Sequence, residues 1–168
     1  GRIWWGESGT NRPGIKRFLS EVRDGIVPQT LWSWKESGST RNAKQELSQI
    51  MESKPTEDIF ITPKPTKLLK RILQIATDEN SIILDSFAGS GTTAQAVMEA
   101  NREDDGCRKF ILIECENYVE DLTAERVRRV IKGVPGAKVE QLQQGYGGSF
   151  SYFELGNCLL YTSPSPRD

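Results

Sequence analysis

A glycine-rich turn that directly follows a short apolar run constrains the fold of this chain most. Residues 81–84 read Ser-Ile-Ile-Leu, and residues 85–93 read Asp-Ser-Phe-Ala-Gly-Ser-Gly-Thr-Thr. The apolar run predicts a short buried strand, and the two glycines allow a turn tight enough for a ligand to lie against bare backbone. Ordinary α/β packing produces the same order of strand, turn and helix, so the glycines alone leave both interpretations open.

The residues around the glycines indicate which ligand the turn accepts. Thr92 stands where a phosphate-binding loop carries Lys, and Asp85 closes the strand. A carboxylate at that position repels a pyrophosphate at short range, whereas it suits an ammonium or sulfonium group. S-adenosylmethionine carries these groups and has no phosphates. We therefore predict a site for S-adenosylmethionine, and the alternative from a different class is an oxidoreductase that binds NAD through residues 89–94.

Residues 85–92 resemble the cofactor motif of the amino-group DNA methyltransferases, which modify adenine N6 or cytosine N4. In the beta class of that family a Lys-Pro motif precedes the glycine loop, and residues 62–69, Thr-Pro-Lys-Pro-Thr-Lys-Leu-Leu, occupy that position. Three further stretches are similar to the modification subunit of type III restriction systems: residues 1–6, 16–22 and 27–32. The resemblance extends from Gly1 to about Asn157.

The resemblance implies an activity and a set of partners. The expected reaction is transfer of a methyl group from S-adenosylmethionine to adenine N6 in DNA, with cytosine N4 as the alternative in the same class. The expected partners are double-stranded DNA with a flipped target base, a restriction subunit and a second modification subunit, in the cytoplasm of a bacterium or archaeon. A non-catalytic module of a restriction complex is the remaining alternative.

Glu114 is the second predicted cofactor element. It follows the apolar run 110–113, at about the twenty residues beyond the glycines where an acid that binds both ribose hydroxyls is expected. An acid at a strand end is also a common solvated terminus, so its meaning depends on the glycine turn. Tyr118 fits the aromatic that usually follows, and Glu116 competes for the role of the ribose-binding acid.

The Lys-Pro segment supplies the remaining expectations. Lys64 is a natural counter-ion for the methionine carboxylate, Thr62 offers a hydroxyl, and a helix N-terminus nearby favours negative charge. Phe87 either contacts the adenine or packs in the core. The complete predicted cofactor-binding set is Thr62, Lys64, Asp85, Phe87, Gly89, Ser90, Gly91, Thr92 and Glu114.

The catalytic motif that the resemblance leads us to expect is absent from this chain. The sequence contains no Pro-Pro pair, so it cannot hold an Asp-Pro-Pro-Tyr-type element. In such enzymes that element accepts hydrogen bonds from the poorly nucleophilic amino group and stacks on the flipped base. In the beta order it precedes the glycine loop, and we expect it upstream of Gly1. No catalytic residue is therefore assigned.

The chain divides into three predicted parts. Residues 1–53 contain all four tryptophans and form the end of a recognition or linking region, and residues 54–157 form the S-adenosylmethionine-binding α/β part. Residues 158–168 resemble a translated sequencing-library adapter and are expected to pack against nothing, although a genuine Ser/Pro-rich tail has a similar composition.

Local patterns predict an α/β fold, namely part of a Rossmann-like methyltransferase with a mostly parallel sheet flanked by helices. A helix capped by Thr40 or Asn42 ends near Met51, and Thr62 caps another whose buried stripe includes Leu68, Leu69, Ile72, Leu73 and Ala76. The remaining predicted elements are strand 81–85, a helix from Thr92 or Thr93 to Asn101, strand 109–114, helix 119–131 and an edge strand at 150–155. The apolar run 110–113 predicts a sheet covered on both faces.

Composition narrows the biochemical classes. A length of 168 residues supports one domain, and a formal net charge of −1 gives no general attraction to DNA. The three cysteines lack metal-ligand spacing and histidine is absent, so no metal site is predicted and a reducing compartment is expected. We find no bilayer-spanning or secretory pattern.

The first part of the chain mixes basic and aromatic residues. One hypothesis is DNA contact by basic side chains, namely Arg2, Arg12, Lys16, Arg17, Arg41 or Lys44. The hypothesis we favour is that the tryptophans at positions 4, 5, 32 and 34 pack in a core or between domains, because tryptophan is usually buried.

Overall fold

The structure, a computed structural model, describes residues 1–21, 27–52 and 60–155. Contacts between Cα atoms divide the chain into one compact unit, Gly1–Leu31, and a second that begins at Trp32. The boundary proposed near Ser53 and the tail 158–168 lie outside the described residues. The predicted domain limits and the predicted lack of packing by the tail therefore stay predictions.

The first unit contains a small antiparallel pairing. Strand β1 (Ile3–Trp4) pairs with β2 (Gly14–Ile15), and Ile3 lies opposite Ile15. A 3₁₀ turn follows at Leu19–Glu21. The Arg2 guanidinium forms an ion pair with the Glu21 carboxylate and lies 5.9 Å from the centre of the Phe18 ring.

The expected burial of the tryptophans is wrong for three of the four. Trp4, Trp5 and Trp34 are exposed, whereas Trp32 is half-buried beneath the Arg71 guanidinium, 5.3 Å from its ring centre. A tryptophan ring is large and apolar, but it is buried only where other side chains cover it. The described residues do not cover the rings of Trp4, Trp5 and Trp34.

The second unit opens with two helices, α1 (Trp34–Ser37) and α2 (Thr40–Ile50). Ser39 is the N-cap of α2, and its hydroxyl accepts a hydrogen bond from the Asn42 N–H at 3.3 Å. The prediction of Thr40 or Asn42 as the cap is therefore wrong, because a cap must stand just outside the helix with its backbone extended. Ala43, Leu47 and Ile50 recur at helical spacing and form the buried face of α2.

A helix, a strand, a helix and a strand then follow one another: α3 (Thr66–Ala76), β3 (Ile82–Asp85), α4 (Thr92–Asp104) and β4 (Lys109–Leu112). The two strands pair in parallel, from Ile82 opposite Lys109 to Asp85 opposite Leu112. Both strands and the parallel pairing agree with the sequence patterns. The described residues form small sheets among helices, which is a mixed α/β arrangement.

One face of the parallel sheet forms a core with α3 and α4. Ile83 and Phe110 pack against a cluster formed by Leu73 of α3 and by buried residues of α4: Ala96, Val97 and Ala100. The predicted stripe of α3 is only partly correct, since Leu73 is buried but Ile72 and Ala76 are exposed.

The opposite face of that sheet is exposed in the part of the chain that the structure describes. Ile82, Leu84, Ile111 and Ile113 carry it, and each has half or more of its surface accessible. The prediction of a sheet covered on both faces is therefore wrong for these residues. An unbroken apolar run shows that a strand can be buried on both sides, but the covering layer is a separate element.

The last helices of the described chain pack beside α2. A π-helical stretch, Val119–Ala124, continues into α5 (Glu125–Lys132), and α6 (Glu140–Gln144) follows. A second core cluster joins these elements through Ile50, Val130, Val134, Ala137 and Leu142. This confirms the helix predicted at 119–131, with the π-helical turns as an addition.

The edge strand predicted at 150–155 is wrong. Residues 151–155 are irregular, and Phe153 and Leu155 are exposed. Alternating aromatic residues favour a strand, but a strand forms only beside a partner that accepts its hydrogen bonds. Of the helices described, not one is long and apolar enough to cross a membrane.

Candidate functional site

The glycine turn connects the C-terminal end of β3 to the first residue of α4. Gly89 and Gly91 have φ of 51° and 75°, and the Gly91 N–H donates to the Ala88 carbonyl at 2.8 Å. A Cβ at position 91 would lie 3.0 Å from the Thr123 carbonyl oxygen. Glycine is therefore required at position 91 both by backbone conformation and by space.

Asp85 holds this turn from inside. Its Oδ1 accepts a hydrogen bond from the Phe87 N–H at 3.1 Å, and its Oδ2 accepts one from the Thr93 hydroxyl. The carboxylate thus fixes the start of the turn to the first turn of α4. The Asp85 side chain remains half-buried beside the turn.

Glu114 lies against the glycine turn. Its Oε2 accepts from the Gly89 N–H at 2.8 Å and the Tyr118 hydroxyl at 3.2 Å. Its Oε1 accepts from the backbone N–H groups of Cys115 and Glu116 at 2.8 and 3.3 Å. The structure therefore joins Glu114 to the turn by a direct hydrogen bond, and it leaves the competing acid Glu116 exposed.

The pKa of Glu114 follows from these contacts. Burial raises the pKa, but the hydrogen bonds from Gly89, Cys115, Glu116 and Tyr118 together outweigh it and lower the pKa below 4.5. The pKa of the Tyr118 hydroxyl is raised, first by burial and then by the adjacent Glu114 carboxylate. At neutral pH the pair is therefore a carboxylate and a neutral phenol.

An aromatic pair borders the same turn. The rings of Phe60 and Tyr118 meet edge to face, with centroids 5.4 Å apart. Phe60 also covers Gly89, where a Cβ would lie 3.3 Å from the Phe60 Cζ. Sequence reasoning missed Phe60, and the only local signal was an aromatic residue just ahead of the Lys-Pro segment.

The Lys-Pro segment presents its polar side chains to solvent. Pro63 and Pro65 are buried, while Thr62 before them and Lys64 between them are exposed. Pro65, rather than Thr62, is the N-cap of α3, so the predicted capping role of Thr62 is wrong. The fixed φ of proline suits that helix start. The exposed Thr62 hydroxyl and Lys64 ammonium are accessible to a ligand.

The remaining predicted residues divide by exposure. Phe87 is 85% exposed, so the alternative that it packs in the core is wrong. Ser90 and Thr92 are buried, and their hydroxyls accept hydrogen bonds from Arg126 at 3.1 and 2.8 Å. A ligand at the turn would therefore meet the backbone of these two residues and not their hydroxyls.

Two residues behind the turn were also missed by sequence reasoning. The Thr123 hydroxyl donates to the Gly89 carbonyl at 2.5 Å, from within the π-helical stretch. Arg126 of α5 is 1% exposed and contacts the turn from the same side. A π-helical turn often marks a functional site, but neither its position nor a buried arginine is readable from local sequence.

The arrangement favours a cationic or neutral ligand over a phosphate. Two carboxylates, Asp85 and Glu114, flank a turn whose Gly89 N–H is already used by one of them. Among the described residues, acids and cysteines form no cluster able to hold a metal ion. A separate cavity of about 380 Å³ lies near the N-terminal end of β4, between Arg102, Arg108 and Tyr146, away from the glycine turn.

Comparison with known proteins agrees with this chemistry. The family model described as DNA methylase, which groups N6 and N4 methyltransferases, matches residues 7–125. The Mod subunit of the type III restriction-modification enzyme StyLTI, from Salmonella typhimurium, is 38% identical across 73% of this chain and 20% of its own length.

Two further relatives are also a Mod subunit and a methyltransferase. The Mod subunit of the type III restriction-modification enzyme EcoPI, from Escherichia phage P1, is 34% identical across 76% of this chain and 24% of its own length. The type II methyltransferase M.KpnI, from Klebsiella pneumoniae, is 32% identical across 77% of this chain and 33% of its own length. The chain thus spans a fifth to a third of these three relatives.

Proposed function

We propose that this chain, which belongs to the DNA methylase family, forms the S-adenosylmethionine-binding part of a site-specific DNA methyltransferase of the type III modification kind. The single observation that carries the proposal is the hydrogen bond between the Gly89 N–H and the Glu114 carboxylate. It supports the assignment because it joins the two predicted cofactor elements at the carboxyl ends of adjacent parallel strands, where ligands bind in such sheets.

Each predicted residue has a role that its position supports. Glu114 would accept hydrogen bonds from the ribose hydroxyls, and Lys64 would pair with the methionine carboxylate. Asp85 would favour the positive charge of the ligand, and the bare backbone of Gly89 and Gly91 would allow close approach. When bound, S-adenosylmethionine supplies the methyl group.

Ribose binding by Glu114 requires an exchange of partners. Each of its two oxygens already accepts two hydrogen bonds, which is the full capacity of a carboxylate. The Tyr118 hydroxyl is the partner most easily released, because it is on a side chain that can rotate, whereas the other three donors are backbone N–H groups. We propose that Tyr118 turns away when a ribose arrives.

The whole enzyme would combine this part with a base-binding element. We propose a Rossmann-like fold for the complete domain, with the catalytic Asp-Pro-Pro-Tyr-type element in the remainder of the protein. Double-stranded DNA with a flipped adenine would be the substrate, and catalysis would consist mainly of positioning the amino nitrogen in line with the methyl group. A restriction subunit, a second modification subunit and a cytoplasmic setting complete the proposal.

Adenine N6 is the proposed target, and cytosine N4 is the second candidate. The matching family model groups both reactions, and the chemistry of the two amino groups is alike. The catalytic element that we propose in the remainder of the protein would test the choice. The family match argues against the NAD-binding alternative, because it covers the glycine turn and the strands on both sides.

A ligand-dependent thermal unfolding measurement tests the cofactor assignment. The purified chain is heated with S-adenosylmethionine, with S-adenosylhomocysteine and with NAD, each at about one hundred times the expected dissociation constant. The first two should raise the unfolding midpoint by roughly 5 to 10 °C, and NAD should leave it unchanged. Stabilisation by NAD without a response to the other two would overturn the proposal.

A further inference from the structure

Arg126 reaches the glycine turn from inside the protein. It lies on α5, is 1% exposed, and directs its Nη1 at three oxygens of the turn. The distances are 3.2 Å to the Ser90 carbonyl, 3.1 Å to the Ser90 hydroxyl and 2.8 Å to the Thr92 hydroxyl. A single guanidinium group thus fixes both the backbone and the side chains where the turn becomes helix α4.

The other nitrogens of Arg126 reach two more elements. Its Nε and Nη2 donate to the Gln95 Oε1 at 3.1 and 2.8 Å, and Nη2 also approaches the Thr66 hydroxyl at 3.4 Å. Thr66 is the first residue of α3 and belongs to the Lys-Pro segment, residues 62–69. Arg126 therefore joins the two sequence motifs that are predicted to hold the cofactor.

The charge of Arg126 is balanced at a distance. Burial lowers the pKa of Arg126 to about 10, and the carboxylates of Glu46 and Glu99 act against that shift, so the group is a cation at neutral pH. Both carboxylates accept hydrogen bonds from the Gln95 Nε2, at 2.7 and 3.0 Å. Glu46 also accepts one from the Thr66 hydroxyl at 2.8 Å. A buried charge with this many fixed partners holds them in one geometry.

A second buried arginine provides a contrast. Arg108 forms a direct ion pair with Asp104 at 2.8 Å and donates to the Thr77 hydroxyl, before β4 begins. Among the described residues, the direct acceptors of Arg126 are neutral oxygens, and three of the five belong to the glycine turn or to its junction with α4. Arg108 thus pairs with an acid of α4, whereas Arg126 binds the glycine turn itself.

We propose that Arg126 is a positioning residue for cofactor binding: it holds the glycine turn and the start of α3 in the ligand-binding geometry without touching the ligand. This inference rests on the proposed function, since it assumes that the turn binds S-adenosylmethionine. Residues that orient a binding site from behind control its affinity when a shift of a fraction of an ångström is enough to misalign it.

Calorimetric titration with S-adenosylhomocysteine tests the role. Arg126→Met, Arg126→Lys and the matched buried control Arg108→Met are compared in the complete chain, well below each unfolding midpoint. Arg126→Met should bind about 10- to 100-fold more weakly, the loss expected for hydrogen bonds to a charged group. Arg126→Lys should recover part of the affinity, because it keeps the charge and loses the planar fork. Arg108→Met should lose stability but bind within about twofold of the parent.

The outcomes separate the inference from the function on which it rests. If the parent chain binds S-adenosylhomocysteine and both Arg126 variants bind it as tightly as the parent, the positioning role is overturned and the function stands. The same holds if Arg108→Met weakens binding as much as Arg126→Met. If Arg126→Met does not fold by circular dichroism, Arg126→Lys against Arg108→Lys decides by the same criteria. Failure of the parent to bind overturns the proposed function, and the inference with it.

Discussion

Replacing Glu114 with glutamine tests how the two predicted cofactor elements are held together. The carboxylate accepts four hydrogen bonds, two on each oxygen. In Glu114→Gln the side chain would keep one oxygen for the backbone N–H groups of Cys115 and Glu116. Its amide NH₂ would then face the Tyr118 hydroxyl, which can rotate to accept, and the Gly89 N–H, which cannot. The loss is therefore one charge-assisted hydrogen bond to backbone.

The expected loss of stability is about 1 to 3 kcal/mol, the range for a hydrogen-bonding group left without its partner. For a chain of 168 residues this lowers the unfolding midpoint by roughly 2 to 12 °C. Calorimetry at pH 7 without ligand measures the shift. The matched control is Glu116→Gln, the same chemical change at an exposed acid two residues away, which should change the midpoint little.

The pH dependence of the stability difference between the parent and Glu114→Gln is a second test of these contacts. Because the folded-state pKa of Glu114 is lowered below 4.5, its ionised form stabilises the fold fully above that value. The contribution is lost as the pH falls through the folded-state pKa. The difference between the parent and Glu114→Gln should therefore be largest near neutrality and shrink below pH 4.5. Equal midpoints for the Glu114 and Glu116 variants, or a difference that grows on acidification, would refute the reasoning.

Two further predictions concern the turn and the sheet, and urea unfolding measures both. Gly91→Ala should lower the free energy of unfolding by about 1 to 3 kcal/mol, because alanine would be held at a positive φ with its Cβ 3.0 Å from the Thr123 carbonyl oxygen. Gly136→Ala has open space around it and should be nearly neutral. Equal losses in the two variants would contradict the geometry. Leu47→Ala, at 2% exposure, should lose about 2 to 5 kcal/mol, whereas Leu84→Ala, at 62% exposure, should lose under about 1 kcal/mol. A large loss at Leu84 would show that something covers that face of the sheet.

Features set by neighbouring residues in the chain were predictable from the sequence. Helix α4 follows from the glycines at its start and from alanines at helical spacing, and the paired strands follow from two apolar runs. The position of Glu114 beside Gly89 follows from parallel pairing, because the ends of adjacent parallel strands meet at one edge. These are consequences of local pattern plus one topological rule.

Features that depend on distant partners were not predictable. An arginine at position 126 in a charged helix suggests a solvated face, yet its acceptors come from residues 31 to 60 positions earlier. The expected strand at 150–155 and the expected burial of Trp4 and Trp5 fail for a related reason. Side-chain type makes a segment suited to a strand or to burial, but the strand or the burial occurs only where a neighbouring element packs against the segment.

The attachment of the glycine turn to Arg126 also has a consequence for synthesis. The group that secures Ser90 lies 36 positions downstream, so a ribosome making this chain releases the turn first and its anchor roughly 2 to 7 seconds later. During that interval the emerging glycine turn lacks the hydrogen bonds that Arg126 donates to it. The proposed recognition of the methyl donor would therefore mature only after α5 has left the exit tunnel and docked.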